Sequence, residues 1–430
     1  NGEKYGFMEN YSYPGYIVPI YGDLLNVYIE KVEDLCGIHD LNQRKSITII
    51  DDKPELKGQE IFGGTGIDNY RDIIVDADKN IYIAGNSSSI DHDMTSSKGG
   101  IDIFIAKIDS LGNVIFKKTF GGTNNDYIQK MKIKPNGNVV FVGLSFSNTF
   151  EGISTPEITE TGLMVEIINN GNLVWVKKFG YVRTDIGRFY VEEIKDLIID
   201  ANSNIFTCGS YDNYFGVRKH TSTGEIVWQN KIGINNNTYK TATSMDFDNQ
   251  GNIIVTGHTT QVTPNYRGGT NDILMVKYSP NGFILNSKHI GGSSDDRPYS
   301  LIVIEDAVYI SGLTYSGDFD FPRDNFQEGQ YFLYKTNFNF DSLWVKTIRK
   351  SNFPQSNSLT KGPNNSILMT ANLYKNIYYG DSALHFNIDD NLTILNFNSN
   401  GERIWIKNIS GPMTNYGGKV IFYKDSTYLV

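Results

Sequence analysis

The sequence predicts an all-β chain, a seven-bladed β-propeller of four-stranded antiparallel blades. Three observations predict it. A glycine step recurs at Gly63, Gly121, Gly180, Gly233 and Gly291, at a near-constant period. Each repeat carries the same four apolar runs in the same order. No long stretch keeps apolar residues at the helical spacing of three and four.

Each unit unfolds alike after its glycines. A first apolar run leads to a polar turn such as "DADKN", "KPNGN", "DANSN" or "DNQGN". The second run follows: "IYIAG", "VVFVG", "IFTCG", "IIVTG", "VYISG" and, in the last unit, "ILMTA". A longer polar loop precedes the third run, such as "DIFIAKID" or "DILMVKY". A Gly-bearing turn then leads to the fourth: "VIFKKTF", "LVWVKKF", "IVWQNKI", "LWVKTI" and "IWIKNI". Tight Asn/Asp/Gly turns between β-rich runs are hairpin signals.

Whole blades are expected near 63–120, 121–179, 180–232, 233–290, 291–348 and 349–410. Residues 411–430 hold only two more runs. Residues 45–62 read as the missing third and fourth. The expected seventh blade is therefore a composite of both chain ends, which removes exposed sheet edges. Residues 1–24 read as an N-terminal extension, and 25–430 as a single propeller. The chain begins with Asn, without a charged-then-apolar leader, so a processed or trimmed chain is expected.

Composition narrows the function classes. The chain has 430 residues, a formal net charge of −9, and no Lys/Arg cluster. Nothing favours nucleic acid or an anionic membrane. No apolar stretch is long enough for a transmembrane helix. Cys36 and Cys208 make no disulfide framework, and Cys208 reads as a small buried apolar residue.

The repeat unit resembles the SBBP-type bacterial β-propeller repeat. The residues that carry the likeness are "GGTGIDNYRDIIVDADKNIYIAG" with "GGIDIFIAKIDSLGNVIF", and their copies "FGGTNNDYIQ", "PNGNVVFVG" and "GGTNDILMVKYSPNG". "TYSGDFDFP" at 314–322 is similar to that family's Ser-Asp-Phe-Pro loop element. The resemblance spans roughly residues 46–430 and is weakest at 180–232 and 349–410. It implies an extracytoplasmic, secreted or outer-membrane surface protein used for binding or display, and the Asn/Ile/Lys/Tyr-rich composition resembles that of Bacteroidetes surface proteins.

Candidate chemistry is sparse. Trp175, Trp228, Trp344 and Trp405 share one position of the fourth strand with Phe116, which marks packing rather than sugar binding. Asp68, Asp126, Asp185 and Asp296 follow the glycine step. They are expected to accept hydrogen bonds from their own turns rather than to ring a cation, and Thr238 stands near that place in another blade. "DADKN" at 76–80 lacks the glycine and distant Glu of a calcium loop. The six histidines show no ligand spacing, and no nucleophile elbow or phosphate loop is present. No metal or cofactor is expected.

Variation concentrates in the loops between second and third strands. Tyr211, Tyr214, Phe215, Tyr266, Phe319, Phe321, Tyr374, Tyr378 and Tyr379 stand there as candidate ligand contacts. Asp-Ser followed by a small or apolar residue, at 109–111, 341–343, 381–383 and 425–427, resembles an O-glycan acceptor pattern. The expected function is a non-catalytic binding or scaffold propeller that recognises a protein or glycan through this long-loop face. Two alternatives stand beside it. One is a subunit of an outer-membrane surface assembly. The other is a polysaccharide-active lyase or hydrolase with its site at the central channel.

Overall fold

The computed structural model describes residues 63–94, 97–154, 161–183, 188–190, 192–233, 240–260, 271–321, 329–349, 358–373, 377–379, 382–384, 391–409, 419–423 and 427–429, together with strand segments at 16–17, 47–49, 55–58 and 60–61. The fold is an all-β propeller of four-stranded antiparallel blades. Blade one is β1 (Asp68–Val75), β2 (Ile81–Ser87), β3 (Asp102–Ile108) and β4 (Val114–Phe120). Blade two is β5 (Asp126–Ile133), β6 (Val139–Ser145), β7 (Thr161–Ile167) and β8 (Leu173–Phe179). Blade three is β9 (Glu192–Ile199), β10 (Ile205–Tyr211), β11 (Tyr214–His220) and β12 (Ile226–Ile232). Blade four is β13 (Lys240–Phe247), β14 (Ile253–Thr259), β15 (Asp272–Tyr278) and β16 (Ile284–Ile290). Blade five is β17 (Asp296–Ile304), β18 (Ala307–Thr314), β19 (Gln330–Asn337) and β20 (Ser342–Arg349). Blade six is β21 (Ser358–Lys361), β22 (Ile367–Leu373), β23 (Asn391–Phe397) and β24 (Arg403–Ile409). Among the described residues there is no α-helix, and one 3-10 turn at Pro363–Asn365.

Six complete blades are present among the described residues, where the sequence reading expects seven. The chain ends supply two separate two-stranded hairpins, Ile47–Ile49 with Glu55–Gly58 and Ile421–Tyr423 with Thr427–Leu429. Among the described residues no ladder joins them into one sheet. The first strands of successive blades pack side by side, and Ile421–Tyr423 lies against both β21 and β1. Blade three also starts later than the glycine period predicts. A hairpin, Tyr181–Arg183 with Arg188–Tyr190, stands between Gly180 and β9.

Second strands are buried at nearly every position because neighbouring blades cover both sheet faces. This explains their continuous apolar runs. The glycine within each of these strands in blades one to five has a specific cause. In blades one to five the first strand carries a one-residue bulge at Arg71, Gln129, Lys195, Thr243 or Tyr299. Opposite it sit Gly85, Gly143, Gly209, Gly257 and Gly312. A β-carbon there would lie 1.9 to 2.3 Å from a first-strand carbonyl oxygen. Blade six has Ala371 instead, and its described first-strand ladder has no bulge.

In blades one, three, four and five the residue after the bulge stitches blades together. Asp72 accepts the Met131 N–H at 2.7 Å and Asp196 the Met245 N–H at 3.1 Å. Ser244 accepts the Leu301 N–H at 3.1 Å and Ser300 the Leu359 N–H at 3.0 Å. The fourth-strand aromatics interlock the outer side. A β-carbon on the glycine of the turn between third and fourth strands of the next blade would come within 2.8 Å of Phe116 at Gly171, 3.2 Å of Trp175 at Gly224, 2.9 Å of Trp228 at Gly282 and 3.0 Å of Trp344 at Gly401. Trp228 also donates to the Pro280 carbonyl at 3.1 Å, and Trp344 to that of Ser399 at 3.3 Å. These rings therefore pack between blades, and their glycines supply the clearance.

Candidate functional site

The glycine turns form concave rows of backbone N–H groups, the geometry of an anion nest. In blade one five consecutive N–H groups, Gly63 to Ile67, donate to Asp93 at 3.3 Å, Asp68 at 2.9 Å, Asp91 at 2.9 Å, Ser89 at 2.9 Å and Ser88 at 2.8 Å. In blade five Gly291, Gly292, Ser293 and Ser294 donate to Asp320, Asp296, Asp318 and Ser316 at 3.1, 2.8, 2.8 and 3.0 Å. In blade two Gly121, Gly122 and Asn124 donate to Glu151, Asp126 and Ser147 at 3.0, 2.8 and 3.0 Å. The nests are filled by the protein's own side chains. Asp68, Asp126 and Asp296 are further clasped by the hydroxyls of Ser89, Ser147 and Ser316, each at 2.8 Å. Asp185 and Thr238 lie outside the described residues.

The acids that close these nests shape the loops above them. Blade one carries Asp91-His92-Asp93-Met94, and blade five carries Asp318-Phe319-Asp320-Phe321. In each, two carboxylates bind the glycine turn, and the last residue is buried as an anchor. Phe321 packs on Phe332 with ring centroids 5.1 Å apart. The residue between the acids is forced into the left-handed region, with φ 51° at His92 and 53° at Phe319. A bulky residue with positive φ is strained, and such strain marks functional positions. Both tips face solvent, His92 with 59% of its side chain exposed and Phe319 with 64%. Ile67, Ile90, Ile153 and Tyr315, in the turns and loops at this end, are exposed as well.

The other candidate contacts divide. Tyr211, Phe215 and Phe321 are buried, which corrects their assignment as surface contacts. The cause at Tyr211 and Phe215 is the connection they flank. "SYDNYFG" is a two-residue turn of Asp212 and Asn213, both with positive φ, and not a long loop. Tyr214 is half-buried, with Lys240 5.9 Å from its ring centroid. Tyr378 and Tyr379 belong to a hairpin, Ile377–Tyr379 with Ser382–Leu384, that extends the outer edge of blade five through Ile348. Tyr266 and Tyr374 lie outside the described residues. Sequence reasoning missed His92, whose signal was the Asp-X-Asp spacing shared with blade five.

Blades three and four abandon the Asp clasp. Glu192 starts β9 and receives both Arg218 terminal nitrogens, at 2.6 and 2.7 Å. Arg218 stacks on Tyr211, 4.0 Å from its ring centroid, and donates to Gln229 at 2.5 Å. Lys240 starts β13, and burial holds its ammonium below the usual lysine range.

Two blade junctions pair carboxyl groups across a glycine. A β-carbon at Gly121 would lie 1.9 Å from Asp102 and 3.2 Å from Asp126. At Gly291 it would lie 2.4 Å from Asp272 and 3.2 Å from Asp296. Burial pushes the Asp296 carboxyl up to about 7. Asp272 adds to the rise, and hydrogen bonds from Thr314, Gly292 and Ser316 oppose it. The folded protein thus keeps a proton that the unfolded chain loses above its ordinary pKa of 3.8. That stabilising contribution is complete below roughly pH 4 and is lost as pH rises through about 7. Asp296→Asn mimics the protonated form at every pH. It is expected to match the parent's melting temperature at pH 4 and exceed it by several degrees at pH 8. The same difference at both pH values would refute the assignment.

Among the described residues no group of three or more His, Cys, Asp or Glu side chains is arranged to hold a metal ion. No described helix is long and apolar enough to cross a membrane.

No family model and no curated protein matches this chain. Among solved structures it is similar to the WD40 domain of Neurospora crassa Pan2, at 10% identity and TM-score 0.44, over 84% of this chain and 88% of that one. It is similar to a protein of unknown function from Dyadobacter fermentans, at 10% identity and TM-score 0.45, over 77% and 94% of the two chains. It is also similar to a putative 6-phosphogluconolactonase from Bacteroides fragilis, at 12% identity and TM-score 0.44, over 78% and 84%.

Proposed function

We propose that this chain is a non-catalytic, exported binding propeller of the SBBP-repeat type, which meets a protein or glycan at the cell surface through its loop-end face. The observation that carries the reading is the pair of stapled tips. His92 and Phe319 are solvent-exposed and held at positive φ by carboxylates bonded to the glycine turns. A rigid, exposed aromatic is an efficient contact because little conformational entropy is lost on binding. The acids at this end support a binding role over a hydrolytic one, since those of blades one, two and five already accept turn N–H groups. We further propose that the two terminal hairpins form a composite seventh blade. The position of Ile421–Tyr423 against both β21 and β1 supports this.

Function and strain can be separated by one substitution. Phe319→Gly, and likewise His92→Gly, is expected to stabilise the fold by roughly 0.5–1 kcal/mol, because glycine adopts positive φ freely. The double variant should lose at least tenfold in affinity for ligands identified on a glycan array or by capture from the native cell envelope. Unchanged affinity in a folded double variant would sink the proposal.

A further inference from the structure

We propose that the waist of the central channel binds a small tetrahedral oxyanion, of the phosphate or sulfate class, between Lys130, Lys132 and Lys419. The argument begins with a broken pattern. The residue after the bulge is an acceptor in blades one, three, four and five (Asp72, Asp196, Ser244 and Ser300), and each takes an N–H of the next blade. In blade two that residue is Lys130, which cannot accept. The Leu197 N–H opposite turns instead to the neighbouring Asp196 at 2.8 Å. A donor retained where the fold repeats an acceptor is a local conflict of the kind found at functional sites.

Two residues on, at the same side of the strand, stands Lys132, where blades one, three and five have Ile74, Ile198 and Ile302. Lys419 precedes the strand that packs beside β1, and reaches Asp72 at 2.5 Å. Two ammonium groups therefore stand on β5, and the third stands just before the strand that packs on the far side of β1.

Three carboxylates share the waist, and all are occupied. Asp72 holds Lys419 and the Met131 N–H. Asp196 holds the Leu197 and Met245 N–H groups and the Ser244 hydroxyl. Asp246 holds the Phe247 and Val303 N–H groups at 2.9 Å each. Lys130 faces Asp72 and Asp196, and Lys132 faces Asp246, but neither lysine makes a hydrogen bond or an ion pair within 4 Å among the described residues, and both are half-buried. Burial opposes the Lys130 charge, but Asp72 and Asp196 outweigh it and hold the ammonium above the usual lysine range. Ammonium groups kept charged but without a hydrogen-bonded acceptor suit an oxyanion, which accepts charge-assisted hydrogen bonds from several at once. Burial pushes the Lys419 ammonium down to about 8; Asp72 resists, while Lys130 and Lys132 add to the fall. A bound anion would relieve that crowding.

Calorimetry with inorganic phosphate and sulfate, against sodium chloride at equal ionic strength, tests the site. Saturable binding is expected for both oxyanions and not for chloride. Lys130→Met with Lys132→Met should weaken it at least tenfold. If that variant does not fold, sulfate titration of the parent decides, since sulfate keeps its charge across the range. Its affinity should fall at least threefold between pH 7 and 9.5 as Lys419 loses its proton. No binding beyond chloride, equal affinity in a folded double variant, or a sulfate affinity independent of pH would each overturn the proposal.

Discussion

Gly143→Ala destabilises the propeller by an expected 3–5 kcal/mol, on the order of the largest effects of single substitutions. Alanine in a strand ordinarily gains on glycine by roughly 0.5–1 kcal/mol, so the sign itself is diagnostic. Here the new methyl would sit 1.9 Å from the Tyr127 carbonyl oxygen. That oxygen belongs to backbone locked between the bulge at Gln129 and the β5–β6 ladder, so relief requires the ladder to shift. Gly137→Ala is the control. Gly137 has φ 85° with nothing within 4 Å of where a β-carbon would sit, so its alanine variant loses only the roughly 1–2 kcal/mol of left-handed strain. Urea unfolding of both variants checks the prediction. A loss at Gly143 no larger than at Gly137 would refute the bulge argument.

Glu192→Gln is expected to cost about 3–5 kcal/mol, because it leaves the buried Arg218 guanidinium without its counter-charge. Both residues are almost fully buried. The forked pairing at 2.6 and 2.7 Å, with Tyr211 stacked on the guanidinium, supplies much of what water gave up. Replacing both partners by apolar residues, Glu192→Leu with Arg218→Met, is expected to bring stability back to within about 1–2 kcal/mol of the parent. A double-mutant cycle by chemical denaturation reads both values. If the double variant is as unstable as the single, Arg218 is required for shape rather than for charge.

The strand order was legible because it is local. Tight Asn/Gly turns between apolar runs specify hairpins within a few residues, so the six described blades were legible, whereas the expected composite seventh depends on how the two chain ends meet. The local fate of Asp68, Asp126 and Asp296 was legible too, since each bonds a turn N–H four residues earlier. The serine clasps were not, because Ser89, Ser147 and Ser316 lie 20 or 21 residues away in chain order. Aromatic candidates failed for a different reason. An aromatic beside a turn reads alike whether it caps the loop or fills the blade. Tyr211 is buried because Asp212 and Asn213 make so short a turn, and Phe321 because it anchors the loop that lifts Phe319.

The stretch from Gly63 to Gly85 shows the division. By itself it determined two strands, the hairpin between them and a glycine turn with an acid to fill it. Only the tertiary structure decided that Gly85 faces a bulge carbonyl, that Asp91 and Asp93 close the nest, and that Asp72 meets Lys419, 347 residues away. Turn and strand preferences act over neighbouring residues. Hydrogen-bond partners and charge partners are fixed by which backbones the ring brings within reach, and a repeated local pattern is blind to that.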